Sequence, residues 1–328
     1  MNQRIFALVL CAVLFALCFS AQAQQTTKIP RIGYLAVVPL STMAARNEPF
    51  RQGLRELGYI EGKNIVIEWR SGDGNLDRMP TLAADLVKLK VDVLVTAGSR
   101  ATASAKAATP MIPIIMAQDP DPVANGFVAS LARPGGNVTG LSTLTPELSG
   151  KRLEILKEIV PTLSRVAYFG TSTSAEDAKT LEEIKLAAET MKVRLDYFDV
   201  LTVKDIDAAF RAASKARDEA LLWGVSGSIS RPQRSRITEL AVKNRLPGIY
   251  TSPEWIPIGG LMSYGVNFGE LFRRAATYVD KILKGAKPAE LPIEQPAKFD
   301  FIVNLQAAKQ IGLTIPPNVL VRADRVIK

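Results

Sequence analysis

Arg31-Ile-Gly-Tyr-Leu-Ala-Val-Val38 is an apolar, partly β-branched run, and it reads as a buried β-strand. Downstream of it, Phe50, Leu54 and Leu57 recur at helical spacing, and Gly58 supplies a C-terminal cap. Asn64-Ile-Val-Ile-Glu-Trp69 gives the second strand, and Leu82, Leu86 and Leu89 mark the next helix. Residues 91–96 form a third strand that ends at Ala97-Gly98-Ser99; a small-residue helix and the strand Pro113-Ile-Ile-Met-Ala117 follow. A β-α-β-α rhythm of this kind requires crossover helices, so it predicts a parallel sheet with helices on both faces.

The rhythm continues through a fifth strand at 137–141. Thr145-Pro146-Glu147 then opens a helix, with Thr145 as cap and Pro146 at the first helical position. Leu153, Leu156 and Val160 are its apolar stripe. A second, similar alternation begins there. Strands are expected at 165–169, 193–200, 220–225 and 246–250. The helices between them include one opened by the capping box Thr173-Ser-Ala-Glu176, one at 203–217 and one opened by an arginine-rich stretch. After a strand at 261–266, Phe268, Leu271, Phe272, Ala275, Val279 and Ile282 form a strongly amphipathic helix stopped at Gly285. A segment with Pro288, Pro292 and Pro296 leads to Phe299-Asp-Phe-Ile-Val-Asn304 and a last short helix. The fold class is therefore α/β, with two Rossmann-like lobes of parallel strands and more than one chain crossing. The expected division is 28–141 plus about 265–288 for the first lobe, and 142–264 plus about 289–328 for the second.

Composition narrows the chemistry. The chain has 328 residues and no His, and its two Cys, Cys11 and Cys18, both lie in the N-terminal leader. Arg4, an apolar run at 5–19 and Ser20-Ala21-Gln22-Ala23 read as a secretory signal peptide with cleavage after Ala23. The chain that remains has neither imidazole nor thiol, which excludes Ser-His-Asp and Cys-His catalysis and the usual zinc sites. Losing Arg4 takes the formal net charge from +9 to +8. The Lys and Arg residues are scattered among acids, and the densest cluster, Arg231, Arg234 and Arg236, has no interleaved aromatics. It reads as solvated helix surface, so no nucleic-acid partner is expected. No G-x-G-x-x-G, P-loop or G-x-S-x-G motif is present. Asp73 and Asp77 lack the ligand spacing of a calcium loop. No cofactor or metal is expected.

Open α/β sheets bind ligands beyond the carboxyl ends of their strands. Those ends here carry Pro39 and Ser41, Gly98 and Ser99, Gln118 and Asp119, Thr171, Ser172 and Thr173, Val225 and Ser226, and Thr251. Many precede a helix, so backbone N–H groups and the helix dipole can face a small polar ligand. The hydroxyls also suit helix capping, and one residue can serve both roles.

The stretch Asp119-Pro-Asp-Pro-Val-Ala-Asn-Gly-Phe-Val-Ala-Ser-Leu-Ala-Arg-Pro-Gly-Gly-Asn-Val-Thr-Gly-Leu-Ser142 resembles the signature of the ABC-transporter substrate-binding family that includes tryptophan- and tyrosine-type binding proteins. Gly259-Gly-Leu-Met-Ser-Tyr-Gly265 and Ala308-Lys-Gln-Ile-Gly-Leu-Thr-Ile-Pro-Pro317 resemble it as well, and the likeness runs from about Arg31 to Lys328. It implies the type I periplasmic-binding-protein arrangement: two lobes joined by a hinge, closing on a small-molecule ligand. It further implies a periplasmic location and a membrane permease and an ATPase as partners. By the same likeness Asp119 meets a ligand amino group, while Gly98, Ser99 and Thr171 to Thr173 are ligand-contacting turns. Amino-acid-binding members often carry an acid after the strand that here ends at Trp223-Gly-Val-Ser226, and this chain has none there. A neutral or anionic guest therefore stays open. Trp223 and Tyr264 can stack on an aromatic guest or pack into the core. An exported ligand-sensing module has the same expected fold. A carboxylate-dependent enzyme would have to use Asp119 or Asp121.

Overall fold

The computed structural model describes residues 28–173, 175–296 and 298–328. The expected leader and Ser174 of the expected capping box lie outside the described residues. Two sheets organise the rest. The first contains β1 (Arg31–Ala36), β2 (Val66–Ser71), β3 (Val93–Ala97), β4 (Ile114–Asp119) and β5 (Val138–Ser142), in the order β2-β1-β3-β4-β5 and parallel throughout. Ile32 of β1 lies between Ile67 and Val93. Tyr34 and Leu35 point to opposite faces of the strand, and both are fully buried. This is the signature of a strand covered by helices on both sides, and it explains why the opening run is apolar without alternation.

The second sheet contains β6 (Arg165–Gly170), β7 (Arg194–Asp199), β8 (Ala220–Trp223), β9 (Gly248–Tyr250), β10 (Met262–Gly265), β11 (Asp300–Asn304) and β12 (Arg325–Ile327). Their order is β12-β11-β10-β9-β8-β6-β7, and β10 and β11 pair antiparallel. The three-residue β12 has no counterpart in the sequence reading, because it is too short and too exposed to show a period. The end of the chain also holds two short helices, Leu305–Gln310 and Pro317–Arg322, where one was expected.

Three passages connect the sheets. The chain leaves the first sheet after Ser142, and the helix Thr145–Ile159 buries Leu153, Leu156 and Ile159 in the core of the second. Thr145 is the first residue of this helix rather than its cap. Leu144 takes the cap position with a left-handed φ of 52°, and the Thr145 hydroxyl bonds to that of Thr143. After β10 the chain returns to the first sheet as the helix Phe268–Leu283, whose Asn267 cap accepts the Glu270 N–H at 3.1 Å. Leu271, Phe272 and Val279 of this helix join Tyr34, Phe50 and Ile115 in one core, each burial contributing about 1.5–3 kcal/mol. The helix lies against Ala44–Glu56 so closely that a Cβ on Gly53 would come within 2.5 Å of the Arg273 carbonyl oxygen. Leu57, expected in the apolar stripe of that earlier helix, is instead partly exposed just beyond its end.

The third passage comes later than the expected boundary near 289. Thr139 donates to the Leu291 carbonyl at 2.7 Å, and the Ser142 and Glu294 N–H groups bond across to Glu294 and Gly140. The segment 291–294 therefore still runs along β5, and the chain crosses to β11 only afterwards. Among the described residues no helix is long and apolar enough to cross a membrane.

Candidate ligand-binding cleft

A cleft of about 230 Å³ opens between the two sheets, and residues of both line it. Its walls include the loops that leave the carboxyl ends of β1, β3 and β4 on one side and of β6, β8 and β9 on the other, as the topology of parallel sheets demands. Two glycines shape it. Gly98 has φ of 104°, which lets the chain turn from β3 directly into the helix Ser99–Ala108 and presents that helix's first N–H groups at the cleft. Gly224 has no side chain because Tyr168 occupies the space: a Cβ there would lie 2.6 Å from the Tyr168 hydroxyl.

Of the residues expected at the site, Gly98, Ser99, Gln118, Thr173, Val225, Ser226 and Thr251 line the cleft. Six others do not. Pro39 and Ser41 sit at a short turn whose Pro39 carbonyl accepts the Thr42 N–H and hydroxyl, and Ser41 faces solvent. Thr171 is buried behind the cleft wall, where its hydroxyl accepts the Ser226 N–H at 3.0 Å and so positions that loop. Ser172 bonds to Asp199 on the outer surface. Tyr264 packs its ring against Phe299 and Phe301, and its carbonyl accepts from Arg152 Nε at 2.7 Å. Asp119, the acid expected to meet an amino group, is fully buried and is absent from the lining. One of its carboxylate oxygens accepts the Asp121 N–H and the Asn125 side-chain amide, both at 3.1 Å. It fastens the loop that follows β4.

The sequence reading missed the charged centre of the cleft. Glu254, in the loop after β9, accepts from Arg46 Nε at 2.7 Å and Nη2 at 3.2 Å, from Arg231 at 2.7 Å and from Arg234 at 3.2 Å. Arg46 comes from the first lobe and the other three residues from the second, so the cluster spans the cleft. The Arg46 side chain is 3% exposed, donates to Gln118 at 2.7 Å, and lies 3.7 Å above the Phe268 ring. Burial pushes the Glu254 carboxyl up, but Arg46 and Arg231 outweigh it and hold the group at about 2. Burial, reinforced by the Arg46 charge, brings Arg231 down to about 9, so it is still a cation at neutral pH.

The arginine cluster read as solvated surface therefore divides. Arg231 and Arg234 turn inward to Glu254, while Arg236 stays outside with Asp207. Helical spacing accounts for this, because positions 231 and 234 share a face that 236 does not. The acid was harder to find: Glu254 lies 208 residues from Arg46, and only its place just after Thr251 marked it.

One further cation lies deeper. Arg152, on the helix Thr145–Ile159, is buried at the cleft wall and donates to the Tyr264 carbonyl and the Ser149 hydroxyl. Among the described residues no carboxylate lies within ion-pair distance of it. Burial lowers Arg152 to about 10, opposed by Tyr168 and Tyr264. Among the described residues no group of three His, Cys, Asp or Glu could hold a metal ion.

Solved structures share this fold. A crystal structure of a conserved domain protein from Vibrio cholerae is 27% identical, with a TM-score of 0.86, over 91% of this chain and all of that one. The ABC domain in complex with L-Trp from Streptococcus pneumonia is 25% identical, with a TM-score of 0.84, over 91% of this chain and 99% of that one. The tyrosine-binding protein of Clostridioides difficile is 22% identical over 286 residues, which are 87% of this chain and 82% of that protein. The family model described as ABC transporter substrate binding protein matches residues 31–327, nearly the whole described chain, and the protein belongs to that family.

Proposed function

We propose that this protein is the periplasmic solute-binding component of an ABC importer. It captures a small polar or aromatic molecule in the cleft and hands it, unaltered, to a permease driven by a cytoplasmic ATPase. The observation that carries the reading is the interlobe cleft: it is lined by the carboxyl ends of two separate sheets and spanned by Arg46 and Glu254. A site divided in this way changes its guest contacts when the lobes close, and a permease can read that difference. The relatives named for tyrosine and solved with L-Trp support a small guest with an aromatic body. The expected signal peptide, with cleavage after Ala23, would deliver the chain to the periplasm.

The lobes proposed to move are the first sheet with the helix Phe268–Leu283 and the second sheet with the helix Thr145–Ile159, hinged at the three passages between them. The cleft residues expected to touch the guest are Gly98, Ser99, Gln118, Thr173, Ser226 and Thr251. Native mass spectrometry of the protein from its host should reveal a non-covalent guest, and small-angle scattering should show compaction when that guest is restored. Turnover of the guest into a product would overturn the reading, as would a scattering curve indifferent to it.

A further inference from the structure

We propose that the guest is an organic anion: a carboxylic acid on an apolar body, with no ammonium group beside it. This deepens the solute-capture reading and rests on it. The cleft lining holds Arg46, Arg100, Arg152, Arg231 and Arg234 against Asp177 and Glu254, a formal excess of three positive charges. Glu254 is a single carboxylate already shared by three guanidinium groups, and buried Arg152 has only neutral acceptors. Charges withdrawn from water are costly until a counter-charge compensates them, and a closing cleft withdraws all of these together. A guest carboxylate supplies that counter-charge, and guanidinium groups match its planar geometry.

The acids are placed against an ammonium group. Asp119 is buried and absent from the cleft lining, and one of its carboxylate oxygens is tied to its own loop. Asp121 forms an ion pair with Lys179 at 2.6 Å, outside the cleft lining. Asp177 accepts the Thr173 N–H at 3.0 Å, and Glu254 is surrounded by arginine. A zwitterionic amino acid would therefore bring a positive charge into a site that already has an excess of them. The apolar lining, including Val37, Leu148, Ile184 and Phe268, and the volume of about 230 Å³ suit a carbon skeleton rather than an inorganic ion.

The test uses three probes that share one ring and differ at the charged end: 4-hydroxyphenyllactate, L-tyrosine and tyramine. Calorimetric titration of the mature protein should rank the hydroxy acid first, the zwitterion about tenfold or more behind, and the amine without measurable binding. Arg231→Gln and Arg234→Gln should each weaken hydroxy-acid binding about thirtyfold or more, with unchanged far-ultraviolet circular dichroism. Arg236→Gln, outside the cleft, should leave it as in the wild type. Tighter binding of L-tyrosine or tyramine overturns the proposal, and so does indifference of the acid to both inward arginines. If none of the three binds, the guest released from the host-purified protein decides: an acid supports the proposal, and an amine, a zwitterion or a neutral molecule overturns it. The capture reading fails separately, by the absence of any guest or compaction.

Discussion

Among the described residues two ion pairs join the lobes, and they differ in surroundings far more than in length. Arg46–Glu254 spans 2.7 Å inside the cleft, with side chains 3% and 15% exposed. Lys179–Asp121 spans 2.6 Å beside the passage between the lobes, with Lys179 40% exposed. Distance alone would rank them equal. Solvent separates them: water competes for Lys179 and screens its charge, whereas Glu254 is held among three arginines with little water to replace any one of them. The lobes are therefore gripped through the cleft, and the outer pair is an accessory.

The largest effect should come from breaking the inner pair. Glu254→Gln leaves Arg46, Arg231 and Arg234 facing one another without a counter-charge, and removal of one buried partner costs about 3 kcal/mol. Urea titration should show the loss, and scattering without guest should show more open lobes; a radius of gyration equal to wild type would refute the grip. Next comes Asp119→Ala, which removes the carboxylate holding the loop after β4. A stability loss of about 1–3 kcal/mol is expected, because the donors it satisfied lose their partner. Guest affinity that falls at full stability would instead return Asp119 to the cleft.

Acid should open the inner pair late. The Glu254 carboxyl is depressed from 4.5 to about 2, so its contribution is complete above pH 4.5 and disappears as pH falls toward 2. Lobe separation detected by scattering at pH 5 would contradict that sign. The smallest effect belongs to Lys179→Ala. Mutual attraction lowers Asp121 and raises Lys179, yet with the lysine so exposed the loss should be about 0.5 kcal/mol or less. A larger loss would put the outer pair on a level with the inner one.

How far the sequence reached can be seen residue by residue. The opening strand, the amphipathic helix from Phe268 and the restart of the alternation after Ser142 were all legible, because each rests on local apolar spacing. Gly98 and Ser226 were legible as cleft residues, because the carboxyl end of a parallel strand has one place to face. Tyr264 and Thr171 satisfy the same rule and still fall outside the cleft, since the rule marks the end of a strand and leaves open which side chain turns inward.

The sequence by itself determined the α/β class, the two-lobed alternation and the absence of histidine, since composition and short-range periodicity carry those properties. Only the tertiary structure decided that Arg46 meets Glu254 and that two of three neighbouring arginines turn inward while Asp119 turns away. Those outcomes depend on which distant segments share a buried volume, and burial sets the worth of a charge far more than its position along the chain does.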